Sequence, residues 1–134
     1  MTHAGACLCG AVRYEIAGDL AAIQLCHCAM CRRASGTAFA ANMPVRASDF
    51  RVVGGADRLK AYASSPGKER LFCADCGSPI ISRTSARPEW VRVRIGTLDE
   101  PVEARPAFHF HVASKANWLP ISDHLPQYPA ERPD

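Results

Sequence analysis

The 134-residue chain has no apolar run near the roughly 18 residues that a membrane-spanning helix needs. Its start, Met1-Thr2-His3-Ala4-Gly5-Ala6-Cys7, lacks a basic stretch followed by an apolar one. No secretory leader is therefore expected, and the expected location is cytoplasmic. Charge of one sign is scarce: 16 Lys+Arg against 13 Asp+Glu leave a net +3. That excess is too small to mark a nucleic-acid or membrane-surface partner. Aromatic residues are few as well, with 2 Trp, 3 Tyr and 5 Phe, which argues against a base-stacking platform. There is no Gly-rich phosphate loop, no Ser/His/Asp order and no paired-carboxylate motif. Apolar residues at 48% and charged residues at 22% are ordinary for a folded protein, and the length fits a single domain over 1–134.

Cysteine is what the chain has in excess. Seven fall into three groups: Cys7-Leu8-Cys9, Cys26-His27-Cys28-Ala29-Met30-Cys31 and Cys73-Ala74-Asp75-Cys76. An odd count excludes complete pairing within one chain, and C-x-C or C-x-x-C neighbours make poor structural disulfides. A reducing compartment disfavours them further. Metal ligation explains the clustering better than redox thiols or buried inert ones.

Alternation dominates the rest. Val12, Tyr14 and Ile16 alternate with Arg13 and Glu15; Val91, Val93 and Ile95 with Arg92 and Arg94; Phe108, Phe110 and Val112 with His109 and His111. These patterns predict strands, and weaker ones predict strands over 21–26, 37–43, 50–53, 58–63, 69–72 and 79–84. Gly54-Gly55, Ser64-Ser65-Pro66-Gly67, Cys76-Gly77 and Asp99-Glu100-Pro101 are expected turns. The segment 29–34 holds helix formers and stops before Ser35-Gly36, so a short helix is expected there. Pro126, Pro129 and Pro133 make the last ten residues a tail laid on the surface or frayed. A mainly β domain follows.

Spacing limits the chemistry. Cys73 and Cys76 on a tight turn can reach one tetrahedral Zn²⁺, and Gly77 supplies the freedom such a turn needs. Cys7 and Cys9, two apart on an extended chain, face one side and can close that site as Cys₄. A closed site is structural and leaves no position for substrate. Cys26, Cys28 and Cys31 then offer three thiolates and an open fourth position, as in a catalytic or substrate-binding zinc. His27 could complete that site only by bending back. His109 and His111, on one face of a predicted strand, could approach it or simply form a solvated strand face. An iron–sulfur cluster fits the spacing less well. Zn²⁺ with three thiolates carries a formal charge of −1. It activates water poorly and suits holding an incoming thiol as thiolate.

These segments resemble the glutathione-dependent formaldehyde-activating (GFA) family. The resemblance is carried by Gly5 to Val12, Cys26 to Arg33, Phe72 to Gly77, and His109 to Tyr128 with Ser114-Lys115-Ala116-Asn117-Trp118. It implies a β-tent fold of antiparallel sheets organised around two zinc ions per chain. The structural zinc would be held by Cys7, Cys9, Cys73 and Cys76, the second by Cys26, Cys28 and Cys31. It implies carbon–sulfur lyase chemistry, in which glutathione binds the second zinc through its thiol and formaldehyde adds to give S-hydroxymethylglutathione. His111 stands where the family often has an aromatic residue. Arg32, Arg33 and Lys115 are candidate contacts for the anionic ends of glutathione, each alternatively an ordinary exposed charge.

Three functions compete. The chain is an enzyme acting on a small thiol and its aldehyde adduct, a carrier that captures the thiol without turnover, or a structural zinc protein that binds another protein. The seventh cysteine favours the first two, because a purely structural design needs four ligands per site.

Overall fold

The computed structural model describes residues 1–99 and 101–133, so Glu100 of the expected 99–101 turn lies outside the described residues. The predicted mainly β architecture is what forms. Strands β1 (Thr2–Ala6), β2 (Arg13–Ala17) and β5 (Phe50–Gly54) make an antiparallel three-stranded sheet in the order β1-β2-β5. The larger sheet contains β3 (Ile23–Cys26), β4 (Ala40–Arg46), β6 (Leu59–Ser65), β7 (Lys68–Cys73), β8 (Pro79–Thr84), β9 (Trp90–Arg94) and β10 (Pro106–Phe110). Its order is β10-β3-β4-β9-β8-β7-β6. The single α-helix among the described residues, α1 (Ala29–Ser35), follows β3.

The resemblance implied antiparallel sheets, and one pair corrects this. β10 runs parallel to β3, with Phe110 beside Cys26. A parallel neighbour needs a long crossover, which the chain between β3 and β10 provides. Alternation also overstated two strands. β9 stops at Arg94, and Ile95–Thr97 turns into a 3₁₀ segment. β10 stops at Phe110, because His111 adopts φ 55° and Val112–Ser114 forms another 3₁₀ turn. His109 and His111 therefore do not share a strand face, and His109 is buried rather than solvated. β1 carried no apolar alternation. It is held by pairing with β2, where Gly5 lies opposite Tyr14.

Register sorts the larger sheet into two unlike faces. Met43, Val45, Val91, Val93, Ile81 and Leu71 point to one side and pack with Tyr14 and Ile16 of β2 and with Val12 just before it. This is the main apolar core, and its burial is the chief stabilising term. The other side carries the alternate residues of the same strands. Cys26 pairs with Ala40 and Phe110, Gln24 with Asn42, Asn42 with Arg94, and Ser82 with both Arg92 and Arg70. At one end of that face a smaller core joins Cys26, Cys31, Ala40, Phe108 and Phe110. The proline-rich tail lies along β10: the Tyr128 N–H donates to His109 O and the His109 N–H to Pro126 O, at 3.0 and 2.9 Å.

Candidate metal centres

Two turns bring the first four cysteines together. Cys7 follows the last residue of β1, and the chain reverses at Gly10, where φ is 81°. Cys73 ends β7, and its chain reverses at Gly77, again with φ 81°. The Gly10 N–H donates to Cys7 O and the Gly77 N–H to Cys73 O, so each turn closes on its own first cysteine. A left-handed backbone at these two positions is open to glycine at little cost.

The sulfur atoms of Cys7, Cys9, Cys73 and Cys76 all lie within 4.8 Å of one another. Cys7 Sγ is 3.6 Å from Cys9 Sγ, and Cys9 Sγ is 3.8 Å from Cys73 Sγ. A tetrahedron of Zn–S bonds of about 2.3 Å has edges of about 3.8 Å, so this donor set fits that ion. The Val12 N–H donates to Cys7 Sγ at 3.2 Å, which favours a thiolate there. Ser78 Oγ lies 3.3 Å from Cys76 Sγ and, with the Ser78 backbone, holds the Cys76 thiol down at about 5. The Leu8 N–H donates to the same hydroxyl oxygen at 2.9 Å, tying the two turns together.

Cys26, Cys28 and Cys31 form a second group with all three sulfurs within 4.8 Å. Cys26 closes β3. Cys28 caps α1, its Sγ accepting from the Cys31 N–H at 3.3 Å. Cys31 is the buried residue of that helix. Sulfur contacts from Cys26, then Cys31, hold the Cys28 thiol below its ordinary value, and contacts from Cys28, then Cys31, push Cys26 up. Among the described residues no histidine nitrogen or carboxylate oxygen joins these three sulfurs within that radius. The group can hold a metal through three protein ligands and leaves a fourth position to another molecule.

A scan against protein families matches residues 2–114 to the family described as glutathione-dependent formaldehyde-activating enzyme. This chain belongs to that family. A Halomonas elongata protein named "Putative glutathione-dependent formaldehyde-activating enzyme" is 32% identical over 126 residues, covering 87% of this chain and 79% of its own length. A Schizosaccharomyces pombe protein named as an uncharacterized lyase is 30% identical over 78 residues, covering 58% of this chain and 55% of its own length. The crystal structure of a Rhodobacter sphaeroides protein superposes with a TM-score of 0.64 at 29% identity, over 78% of this chain and 99% of the other.

Around the GFA cysteines, the other residues singled out by sequence are arranged unequally. Arg33 is exposed on α1; Arg32 is half-buried, with Nε enclosed and unpartnered. Lys115 Nζ donates to the carbonyls of Ala116 and Leu119, both at 3.0 Å, so its charge is engaged by backbone. His111 Nε2 lies 3.3 Å from Glu131 at the surface. His27 turns away from the sulfurs between which it stands in sequence. Its Nε2 is 2.7 Å from His109 Nδ1, and His109 Nε2 is 2.9 Å from Asp123 Oδ2. Burial first, then His109, lowers the His27 pKa, while the bond from His109 holds Asp123 below the usual carboxylate range. Sequence reasoning left Asp123 out altogether. Its only signal was an acidic residue in a proline-bounded tail. No helix of the described residues is long and apolar enough to cross a membrane.

Proposed function

We propose that this protein is a zinc-dependent carbon–sulfur lyase acting on glutathione, or a similar small thiol, and its formaldehyde adduct. The observation that supports this most directly is the pair of unlike sulfur groups, one with four ligands and one with three and an accessible member. Cys7, Cys9, Cys73 and Cys76 would hold a structural zinc that ties the start of the chain to the β7–β8 turn. Cys26, Cys28 and Cys31 would hold the second zinc, which when bound supplies a positive centre that keeps a substrate thiol ionised near neutral pH. The expected single domain over 1–134 is part of this reading.

The chain's own contribution is positional. The end of β3 and the first turn of α1 fix the three cysteines, while Phe108, Phe110 and Tyr128 cover one side with apolar surface. That surface excludes water beside the reacting sulfur. In the synthetic direction the substrate sulfur donates its electron pair to the formaldehyde carbon and forms the C–S bond. The carbonyl π pair moves to oxygen, which takes up the proton that the thiol released. The lyase direction reverses each step.

The test is turnover. Zinc-loaded protein is expected to accelerate both formation and breakdown of S-hydroxymethylglutathione above the uncatalysed rate, with Cys28→Ser abolishing the gain. Adduct exchange at the spontaneous rate, with the thiol still bound, would instead identify a carrier.

A further inference from the structure

The sheet face that carries Cys26 also carries four cations in adjacent register. Arg92 and Arg94 are two apart on β9, Lys68 and Arg70 two apart on β7, and Ser82 of β8 pairs with both Arg92 and Arg70. None of the four has a carboxylate partner among the described residues, although Arg13, Arg51, Arg58 and Arg83 elsewhere all do. Arg94 is only 7% exposed, and its sole side-chain partner is the neutral amide of Asn42. Arg94 Nε and Arg70 Nη1 are enclosed and make no hydrogen bond among the described residues. Burying guanidinium donors without an acceptor is costly, and crowding like charges adds to the cost. The Cys31 and Cys26 sulfurs offset part of that cost for Arg94, and an added anion over the face would offset more.

A groove of about 710 Å³ opens over this face, lined by Gln24, Lys68, Arg87, Arg92 and Arg132, with Phe108 and Phe110 as its apolar wall. The same two phenylalanines pack against Cys26 and Cys31. Phe110 is thus the partition between the three-sulfur group and the cationic groove. Arg92 and Arg132 stack over Phe110 and Phe108, at 5.8 and 5.0 Å from the ring centres. The one acidic residue described in the groove lining, Glu131, faces His111. Lys68 is destabilised as a cation by burial and by Arg92 and Arg70, an imbalance that a bound anion relieves.

We propose that this groove, through Lys68 and Arg92 in its lining, receives the carboxylates of the thiol substrate and selects thiols that carry anionic ends, while Arg70 and Arg94, in adjacent register on the same sheet face, add to its positive potential. This assigns the selectivity to the sheet face rather than to Arg32, Arg33 and Lys115, and it rests on the reading of the three-sulfur group as a thiol site. An Arg fork matches a carboxylate in two parallel hydrogen bonds, and Lys68 adds a point charge beside it.

Calorimetric titration of the zinc-loaded protein tests this with glutathione, its diethyl ester, S-methylglutathione and inorganic phosphate as probes. Glutathione is expected to bind about tenfold or more tightly than the diester, which keeps the thiol and loses both carboxylates. Arg92→Gln and Lys68→Gln are each expected to weaken glutathione and S-methylglutathione by about fivefold and to leave the diester unchanged, while Arg92→Lys recovers part of the loss. S-methylglutathione cannot offer a thiolate, so its dependence on Arg92 reports the groove alone. Equal affinity for glutathione and diester, or unchanged affinity in both Gln variants, overturns the proposal. Phosphate binding as tightly as S-methylglutathione would also overturn it, because the face would then be a free-anion site. A zinc-independent glutathione affinity that still falls with Arg92→Gln would sink the thiol–zinc reading and sustain the groove.

Discussion

His27 Nε2 and His109 Nδ1 stand 2.7 Å apart in a fully buried pair that continues to the Asp123 carboxylate. An ionised carboxylate only accepts, so His109 must carry its proton on Nε2, facing Asp123. In the tautomer with Nε2–H toward Asp123, Nδ1 is the nitrogen that accepts from His27 Nε2. The chain of bonds runs from the segment between Cys26 and Cys28 to Asp123, whose side chain is 45% exposed. It fixes the loop that presents two of the three sulfurs.

His109→Phe should therefore loosen the three-sulfur group without touching it. A somewhat larger ring is kept, but His27 Nε2 becomes a buried polar nitrogen without its partner. Zinc release from this group to a chromophoric chelator is expected to accelerate about tenfold, a usual consequence of losing an outer support. Release from the four-cysteine group should not change. Equal acceleration at both groups would mean general destabilisation and not loop positioning.

The two sulfur groups should fail differently when cut. Cys73→Ser removes a fully buried ligand from the group that joins residue 7 to residue 76. Metal binding energy at a closed site is folding energy, so this variant is expected to be unfolded or aggregated. Cys28→Ser removes a half-buried ligand at the mouth of α1, and serine is itself a good helix cap. That protein should stay folded, retain about one zinc and lose thiol affinity. Circular dichroism with elemental analysis separates the cases, and a soluble two-zinc Cys28→Ser protein would refute the assignment.

Both sulfur groups were visible in the sequence because metal ligands must be close in space, and local spacing reports half of that closeness. The strands of the core were visible because Tyr14, Ile16, Val91 and Val93 alternate with charged neighbours. The same pattern misled at His111, whose left-handed backbone stops β10 at Phe110. The cationic groove was hidden for another reason. Arg92 and Arg94 read as the outward residues of a half-buried strand, Lys68 and Arg70 carried no signal of their own, and only the strand order places all four on one face beside Cys26. Asp123 was hidden because a carboxylate in an irregular tail has no period to betray its partner. β1 was missed because pairing, not side-chain pattern, holds it.

Two glycines near the first cysteine turn make opposite predictions from opposite causes. Gly10 has φ 81° and open space around it, so Gly10→Ala is resisted by the backbone alone, at about 1 kcal/mol. Gly5 has an ordinary backbone but lies against the Tyr14 ring and the Thr97 carbonyl, where a methyl group would collide with both. Gly5→Ala is expected to cost about 3 kcal/mol or to displace β1 from β2. Denaturant titration of the zinc-loaded variants orders them; a milder Gly5→Ala would show that β1 can shift freely.

Tyr14 gives the fold an alkaline limit. Its hydroxyl lies 2.6 Å from Thr97 Oγ1, which donates its own proton to Arg94 O at 2.8 Å. Thr97 can therefore only accept from Tyr14. Burial, the largest cause, pushes the Tyr14 pKa up to about 12, whereas an unfolded tyrosine titrates near 10. The folded chain thus holds this proton more tightly than the unfolded one. The associated stability is complete below about pH 10 and is lost as pH rises through about 12, a total of roughly 3 kcal/mol for two units. Tyr14→Phe removes the titrating group and should flatten that decline. Ultraviolet difference titration should show one of the three tyrosines ionising late and together with unfolding; three tyrosines ionising near pH 10 in a protein that stays folded would show that Tyr14 is not held neutral by its burial.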